Sequence, residues 1–406
     1  MAARSRCLIC DSESLNQIID LGSHPFADTF IPESKKGDAD IIYPLVCDLC
    51  ENCGHIQTRY ETDPKLRYSQ TDYSYTSSNS SFSRNHWNEY SKEVQEIIKL
   101  NPNSFILEIG SNDGYLAEQF IKLGNKTVGI DPSPYMADLA KKRGVETFVE
   151  LFSESSVNNI LSKHGYADLV VANNVYNHAN NPVEFTKAVA NVLKEGGFFV
   201  FEQPYWLETL KSGKFDQIYH EHVSYFTLRS LLFLLKKAKM NIISAKIVDY
   251  HGGSLRVIAQ KGDFKGVPED IEKKIKEEID YGTFKLETYR DFMEKNIKQR
   301  SIFLQKVHKL KEDGNAIIAV GAAAKGNTFL NFYRLDSTLI DYVTDSSPHK
   351  QNKYTPATRI PIRSDEIFSK YETPYALILS WNIENQLRNI LSKINKNIKF
   401  ISPDKN

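Results

Sequence analysis

All five cysteines of this 406-residue chain lie within its first 53 positions, at Cys7, Cys10, Cys47, Cys50 and Cys53. No other feature restricts the local fold as tightly. Cys7-Leu-Ile-Cys10 is one C-x2-C unit, and Cys47-Asp-Leu-Cys50-Glu-Asn-Cys53 contains two overlapping ones. The two-residue spacing turns both sulfurs of a tight knuckle toward one point. Two knuckles about forty residues apart can therefore supply four thiolates to a tetrahedral zinc ion. Gly54 directly after Cys53 suits the close turn. The predicted ligands are Cys7, Cys10, Cys50 and Cys53, with Cys47 left over. Four protein ligands fill the shell, so the predicted zinc is structural. Reduced buried cysteines and a redox dithiol are the alternatives. A secreted disulfide scaffold would spread its cysteines along the chain. The grouping instead predicts a reduced, cytoplasmic protein, and MAARSRCLICDSES lacks the apolar core of a secretory signal.

Lys plus Arg and Asp plus Glu each number 51, so the formal charge is zero. That balance argues against a chain built to grip nucleic acid or an anionic membrane. Residues 1–60 carry nine acidic against five basic side chains, the wrong sign for phosphate contacts. The longest small-apolar run, Ala316 to Ala324, is about half a membrane span and contains Gly321. The expected partners include neither nucleic acid nor membrane, and the expected state is a monomer.

The chain divides by pattern into residues 1–66, 67–262 and 263–406. The middle part alternates β-like runs (FILEIG, TVGID, ADLVVANNV, GGFFVFEQP) with helical stretches such as YLAEQFIKLG. Strands alternating with helices predict an α/β fold with a parallel sheet. IISAKIVDY and SLRVIAQ, joined by His-Gly-Gly, predict an antiparallel hairpin. Residues 268–313 predict one or two long helices with a break near Tyr281-Gly282. Alternation then resumes in AIIAVGAAAKG, LIDYVTD, YALILSW and IKFISP, a second, smaller α/β unit.

Glu108-Ile-Gly110-Ser-Asn112-Asp-Gly114 closes one β-like run and opens a helical one. Glycines at such a turn let a ligand approach the backbone closely. The form E-x-G-x-x-x-G differs from the dinucleotide G-x-G-x-x-G, which aims a helix N-terminus at a pyrophosphate. Glu108 instead suits a cationic ligand end, as in S-adenosylmethionine, which has an ammonium, a sulfonium and no phosphate. Asp131, 23 residues after Glu108, closes the next β-like run, where an acid can hold both ribose hydroxyls.

Leu107 to Gly114 and Asp131 resemble the first two motifs of class I S-adenosylmethionine-dependent methyltransferases. IYHEHVSYF (Ile218 to Phe226), HGGSLRV (His251 to Val257) and GAAAKGNTFLNF (Gly321 to Phe332) resemble signatures of the sugar C-methyltransferases. LGSHPFADTF (Leu21 to Phe30) and CENCGHIQ (Cys50 to Gln57) are similar to that family's zinc-binding module. The resemblance runs over essentially the whole chain. It implies an N-terminal zinc module, a class I methyltransferase Rossmann-like domain and a C-terminal Rossmann-like α/β domain. The implied reaction is methylation at C-3' of a nucleotide-linked 4-keto-6-deoxy sugar, in the making of branched sugars. A base removes the C-3' proton and the enolate attacks S-adenosylmethionine. By resemblance His222 is the base, Tyr219 and Glu221 support it, His178 is a second active-site histidine, and Tyr73 reaches the sugar. Glu108, Gly110, Asn112, Gly114, Asp131 and Asn173 form the implied cofactor set. Lys325, Asn327 and Arg256 are assigned to the substrate, with Lys325 suited to a pyrophosphate.

The residue types fit this chemistry. Carbanion formation beside a carbonyl needs a base titrating near the working pH, as histidine does. The enolate oxygen needs a donor, which a tyrosine hydroxyl or second histidine supplies. Glu221 can orient His222 or hold a sugar hydroxyl. A metal site at His220, Glu221 and His222, or a structural polar cluster, are other readings of the segment. Three other functions remain open: a nicotinamide-dependent nucleotide-sugar oxidoreductase, methylation at another carbohydrate position, and a non-catalytic zinc-dependent interaction protein.

Overall fold

A computed structural model describes residues 2–63, 76–78 and 80–403. The N-terminal strands are β1 (Leu15–Pro25), β2 (Ile42–Cys50) and β3 (Ile56–Thr58), paired antiparallel in that order. The chain then forms helix α1 (Ser81–Ile97) and enters the middle sheet through β4 (Phe105–Ile109), every residue of which is buried. There follow α2 (Tyr115–Lys122), β5 (Lys126–Ile130), α3 (Pro134–Lys142), β6 (Glu146–Phe148), α4 (Glu154–His164) and β7 (Ala167–Val171). Next come α5 (Pro182–Val192), β8 (Leu193–Pro204), α6 (Trp206–Ser212), the short β9 (Ser224–Tyr225) and α7 (Leu228–Lys236). The hairpin expected from His-Gly-Gly is present as β10 (Met240–Val248) and β11 (Ser254–Lys261).

The middle sheet runs β10-β11-β8-β7-β4-β5-β6. β4 through β8 are parallel, and β11 is antiparallel to its neighbours. The chain begins in the centre, winds outward to β6, then returns to place β7 on the other side of β4. The point of reversal therefore lies between β4 and β7. Local chemistry explains the helix starts around it. Ser133 and Ser153 cap α3 and α4 by accepting a backbone N–H, and Pro134 opens α3 with its φ already helical.

Two helices follow: α8 (Glu269–Tyr281), with three acids in its first turn, and α9 (Leu286–Glu312). Gly282 ends α8 in the left-handed conformation, φ 85°, which places the break where Tyr281-Gly282 predicted it. Tyr289, Phe292, Asn296, Phe303 and Val307 form the buried stripe of α9. The last unit contains β12 (Ile317–Val320), α10 (Ala324–Tyr333), β13 (Tyr342–Thr344), β14 (Ile362–Arg363), β15 (Tyr375–Ile378), α11 (Glu384–Ile394) and β16 (Lys399–Ile401). Its sheet is fully parallel in the order β14-β13-β12-β15-β16, with its own reversal between β12 and β15.

The N-terminal module packs between the two larger units. Cys7, Ile9, Cys50 and Cys53 share a core with Leu107 and Phe199 of the middle sheet and with Phe226. Ile18, Leu21 and Leu45 share another with Phe292 of α9 and Leu330 of α10. The module's sheet is completed from the middle of the chain, because β9 pairs with β3, Ser224 opposite Gln57 and Tyr225 opposite Ile56. Among the described residues no helix is long and apolar enough to cross a membrane.

Candidate active site

A cavity of about 930 Å3 opens at the C-terminal ends of β4 and β7. The reversal point of an open α/β sheet is where such crevices form, because the adjacent loops diverge there. Gly110 leaves β4 with φ 66°, and a Cβ on it would lie 2.3 Å from Cγ2 of Val175. Gly114 precedes α2 with φ 73°, and a Cβ there would lie 2.9 Å from Cα of Ala140. Both positions require glycine on conformation and on space. Asn112 sits between them at φ 51°, and its side-chain oxygen accepts the N–H groups of Ser77 and Asp113 at 2.8 Å each. Asp131, just past β5, accepts the N–H groups of Asn112 and Ser133 at 2.9 Å each and lines the cavity. Burial raises its carboxyl above the ordinary range. Asn173 lines the opposite wall, its oxygen accepting the N–H of Glu202 at 2.8 Å. Glu108 does not face the cavity. Its Oε2 accepts the N–H of Ala117 in α2 at 2.9 Å, and burial pushes its pKa well up. It braces the strand-to-helix turn from behind. Gly110→Ala is expected to weaken S-adenosylmethionine binding by about tenfold or more and lower the melting temperature. Calorimetric titration and thermal unfolding check both, and wild-type values would contradict the reading.

The cavity extends to His178, in the 3-10 turn Tyr176–His178. The His178 ring lies edge-on to His222, centroids 4.9 Å apart. The segment holding His222 is a turn rather than a strand, closed by the N–H of His222 donating to the carbonyl of Tyr219 at 2.9 Å. His222 donates from Nδ1 to the carbonyl of Gln217 at 2.9 Å. This places the lone pair of the neutral ring on Nε2, which accepts from the Tyr219 hydroxyl at 2.5 Å. Burial, with further repulsion from His178, Lys325 and His251, holds the His222 pKa well below its ordinary 6.5. The group is therefore a buried neutral imidazole with a defined tautomer.

Glu221 and His220 have other partners. Oε1 of Glu221 accepts the N–H groups of Ala27 and Asp28, at 3.1 and 3.4 Å, in the Leu21–Phe30 segment. The imidazole of His222 is oriented by the Gln217 carbonyl. His220 packs edge-on against Phe26 and Tyr43, and burial lowers its pKa to about 4.

Asn327, in α10, donates to the carbonyl of Ala27 at 2.5 Å, so the same loop residue is held from both sides. Lys325 donates to the carbonyl of His251 at 3.3 Å and lies 5.2 Å from the ring centroid of Trp381. Burial lowers its pKa to about 8 against the attraction of Asp216. The cation thus stands between the hairpin tip and the C-terminal unit, with Gly252 so close that a Cβ would lie 2.1 Å from Trp381. Arg256 lies apart from the cavity wall. It is buried in ion pairs with Glu202 at 2.5 Å and Glu93 at 2.7 Å, over the Tyr90 ring. Tyr73 lies outside the described residues.

Three cavity residues have little sequence signal. His251 lies at the hairpin tip with φ 51°, in the HGGS segment that first reads as a turn. Tyr135 in α3 meets His349 of the C-terminal unit edge-on at 6.0 Å, and both line the cavity. Nothing local to His349 marks it, because its role depends on a contact between separate units.

The sulfurs of Cys7, Cys10, Cys50 and Cys53 lie within 4.8 Å of one another. Cys7 and Cys53 are 3.5 Å apart, as are Cys10 and Cys50. A tetrahedron with Zn–S bonds of ~2.3 Å has sulfurs ~3.8 Å apart, so the four fit zinc. It is the one such group among the described residues. Cys47, fully buried in β2, pairs with Ile19 and Thr58, and burial keeps its thiol protonated. Cys47→Ser is expected to leave one zinc per chain, as metal analysis would show.

Residues 82–245 match the profile of a methyltransferase domain, 249–403 that of a C-methyltransferase C-terminal domain, and 7–68 that of a zinc binding domain. The chain is 30% identical over 378 residues to the C-methyltransferase NovU of Streptomyces niveus, covering 93% of this chain and 89% of that protein. It is 25% identical over 166 residues to a ubiquinone biosynthesis O-methyltransferase of Shewanella halifaxensis, covering 36% of this chain and 67% of the relative. An S-adenosylmethionine-dependent methyltransferase structure from Clostridium acetobutylicum aligns with 49% of this chain and 95% of its own, at 18% identity and a TM-score of 0.36. The nicotinamide reading is thereby set aside, and the chain belongs to the S-adenosylmethionine-dependent C-methyltransferases that carry an N-terminal zinc-binding module.

Proposed function

We propose that the enzyme methylates C-3' of a nucleotide-linked 4-keto-6-deoxy sugar, with His222 as the base. The observation that carries this is the buried, neutral His222, its lone pair held at Nε2 and its ring against His178 at the inner end of the cofactor cavity. Gly110, Gly114, Asp131 and Asn173 fit S-adenosylmethionine, because the two glycines leave room at the backbone and the acid ends the second strand. When bound, the cofactor supplies an electrophilic methyl group.

The chain's own residues handle the proton and the developing charge. Nε2 of His222 takes the C-3' proton, which the neighbouring carbonyl acidifies. Burial keeps the imidazole unprotonated and free to accept that proton, and the cation then formed is balanced by the enolate beside it. Substrate entering at Nε2 displaces the Tyr219 hydroxyl, which then donates to the oxyanion forming at C-4'. His178 is a second donor at the same end. Lys325 serves the anionic pyrophosphate, Asn327 and Glu221 hold the Ala27 loop against the site, and Arg256 acts from beneath through its ion pairs with Glu202 and Glu93. Tyr73 reaches the sugar in this reading.

Incubation with S-adenosylmethionine and a panel of nucleotide-linked 4-keto-6-deoxy sugars tests it. A new carbon-bound methyl at C-3', seen by NMR, is expected. If no sugar in the panel gains one, the assignment fails.

A further inference from the structure

Gln203, near the end of β8, and Gln217, at the end of the 3-10 turn Phe215–Gln217, are almost wholly buried, at 0% and 1% exposure. In both side chains the amide oxygen and nitrogen have no hydrogen-bond partner among the described residues. The side-chain oxygen of Asn177 is in the same state. Buried amides in folded proteins nearly always have partners, so four unmet atoms on two glutamines call for water or ligand.

Gln217 and Asn177 are tied to the His222 segment through their backbones. The backbone carbonyl of Gln217 receives its Nδ1–H at 2.9 Å. Asn177 precedes His178, and its backbone carbonyl accepts the N–H of Val223 at 2.8 Å. Gln203 is placed by strand alternation. Phe201 packs edge-on against Tyr176, centroids 5.1 Å apart, while Glu202 turns the other way to His86. Gln203 therefore shares the Phe201 face, toward the turn that holds His178.

We propose that the side chains of Gln203 and Gln217 bind the hydroxyl and carbonyl groups of the acceptor sugar ring and set its pose at His222. A primary amide offers two donors and an acceptor without charge. That matches a hydroxyl, which both donates and accepts, and matches a phosphate poorly. The inference rests on the sugar-methyltransferase reading and adds which side chains recognise the ring. Such a site discriminates strongly against a sugar lacking the matching hydroxyl, because the amide would stay unmet.

Gln203→Met and Gln217→Met test it, since methionine keeps length and volume while removing the amide. The KM for a UDP- or dTDP-linked 4-keto-6-deoxyglucose is expected to rise about tenfold, the loss of one good hydrogen bond. The dissociation constant for S-adenosylmethionine should not change. The ligand-free melting temperature should hold or rise, because an unmet buried amide is gone. A KM within threefold of wild type in both variants overturns the proposal. So does a large fall in melting temperature together with lost cofactor affinity, since the amides then support the fold. If wild type methylates no nucleotide sugar, the functional reading has failed by itself. Equilibrium binding of the same nucleotide sugars then decides, and equal binding by wild type and variants overturns the role of the amides.

Discussion

His222→Asn is expected to reduce methyl transfer by about 10²–10⁴-fold while S-adenosylmethionine still binds with near wild-type affinity. Asparagine preserves a polar side chain of similar reach but supplies no base. The cofactor-side residues Gly110, Asp131 and Asn173 contact other partners, so their geometry does not depend on the imidazole. Single-turnover rates and calorimetric titration separate the two effects, and near-normal turnover would remove His222 from the base role. The pH dependence follows from the same surroundings. Burial lowers the His222 pKa, and His178, Lys325 and His251 add repulsion against its protonated form, outweighing the Gln217 carbonyl. The working form is neutral, so activity is lost as pH falls through that lowered pKa. The acid limb of kcat should therefore lie below pH 6.5, the ordinary histidine value. A limb above that value would contradict the buried neutral imidazole.

Removing the zinc is expected to abolish activity as well as destabilise the chain, although no cysteine touches the cofactor cavity. Structural zinc contributes about 10–16 kcal/mol in isolated finger peptides. Cys50 ends β2, and its N–H donates to the carbonyl of His55 at 2.8 Å across the turn into β3. β3 pairs with Ser224 and Tyr225, and the N–H of Thr58 donates to the carbonyl of Val223 at 3.0 Å. Val223 directly follows His222. Loosening the knuckle thus frees the strand that holds the His222 turn. Cys50→Ser, or exposure to a strong chelator, should lower zinc content, melting temperature and kcat together. Full activity in a zinc-free, folded chain would show that the module and the His222 turn are independent.

The C-x2-C spacing, the E-x-G-x-x-x-G turn, the acid after the second strand, the His-Gly-Gly hairpin and the Gly282 helix break were all legible from residues close in sequence. Their physical causes are local. A knuckle, a left-handed glycine, a capped helix start and an alternating strand are each set by backbone conformation within a few residues. A side chain's distant partner is not legible in this way. Glu108 has the spacing of a ligand contact, and its Oε2 also accepts the N–H of Ala117 in α2. Arg256 lies in a signature segment, and its ion pairs with Glu202 of β8 and Glu93 of α1 join residues far apart in sequence.

By itself, then, the sequence determined the zinc ligands as candidates, the α/β class and the segments that would hold cofactor and base. Only the tertiary structure decided how those segments meet. Ala27 is gripped by Glu221 from 194 residues away and by Asn327 from 300 residues away. β9 completes the zinc module's sheet, and His349 reaches the cofactor cavity from the last unit. Those contacts form because three apolar surfaces must be buried against one another. The hydrogen bonds that then fall into register are set by that packing, and local conformation contains no record of them.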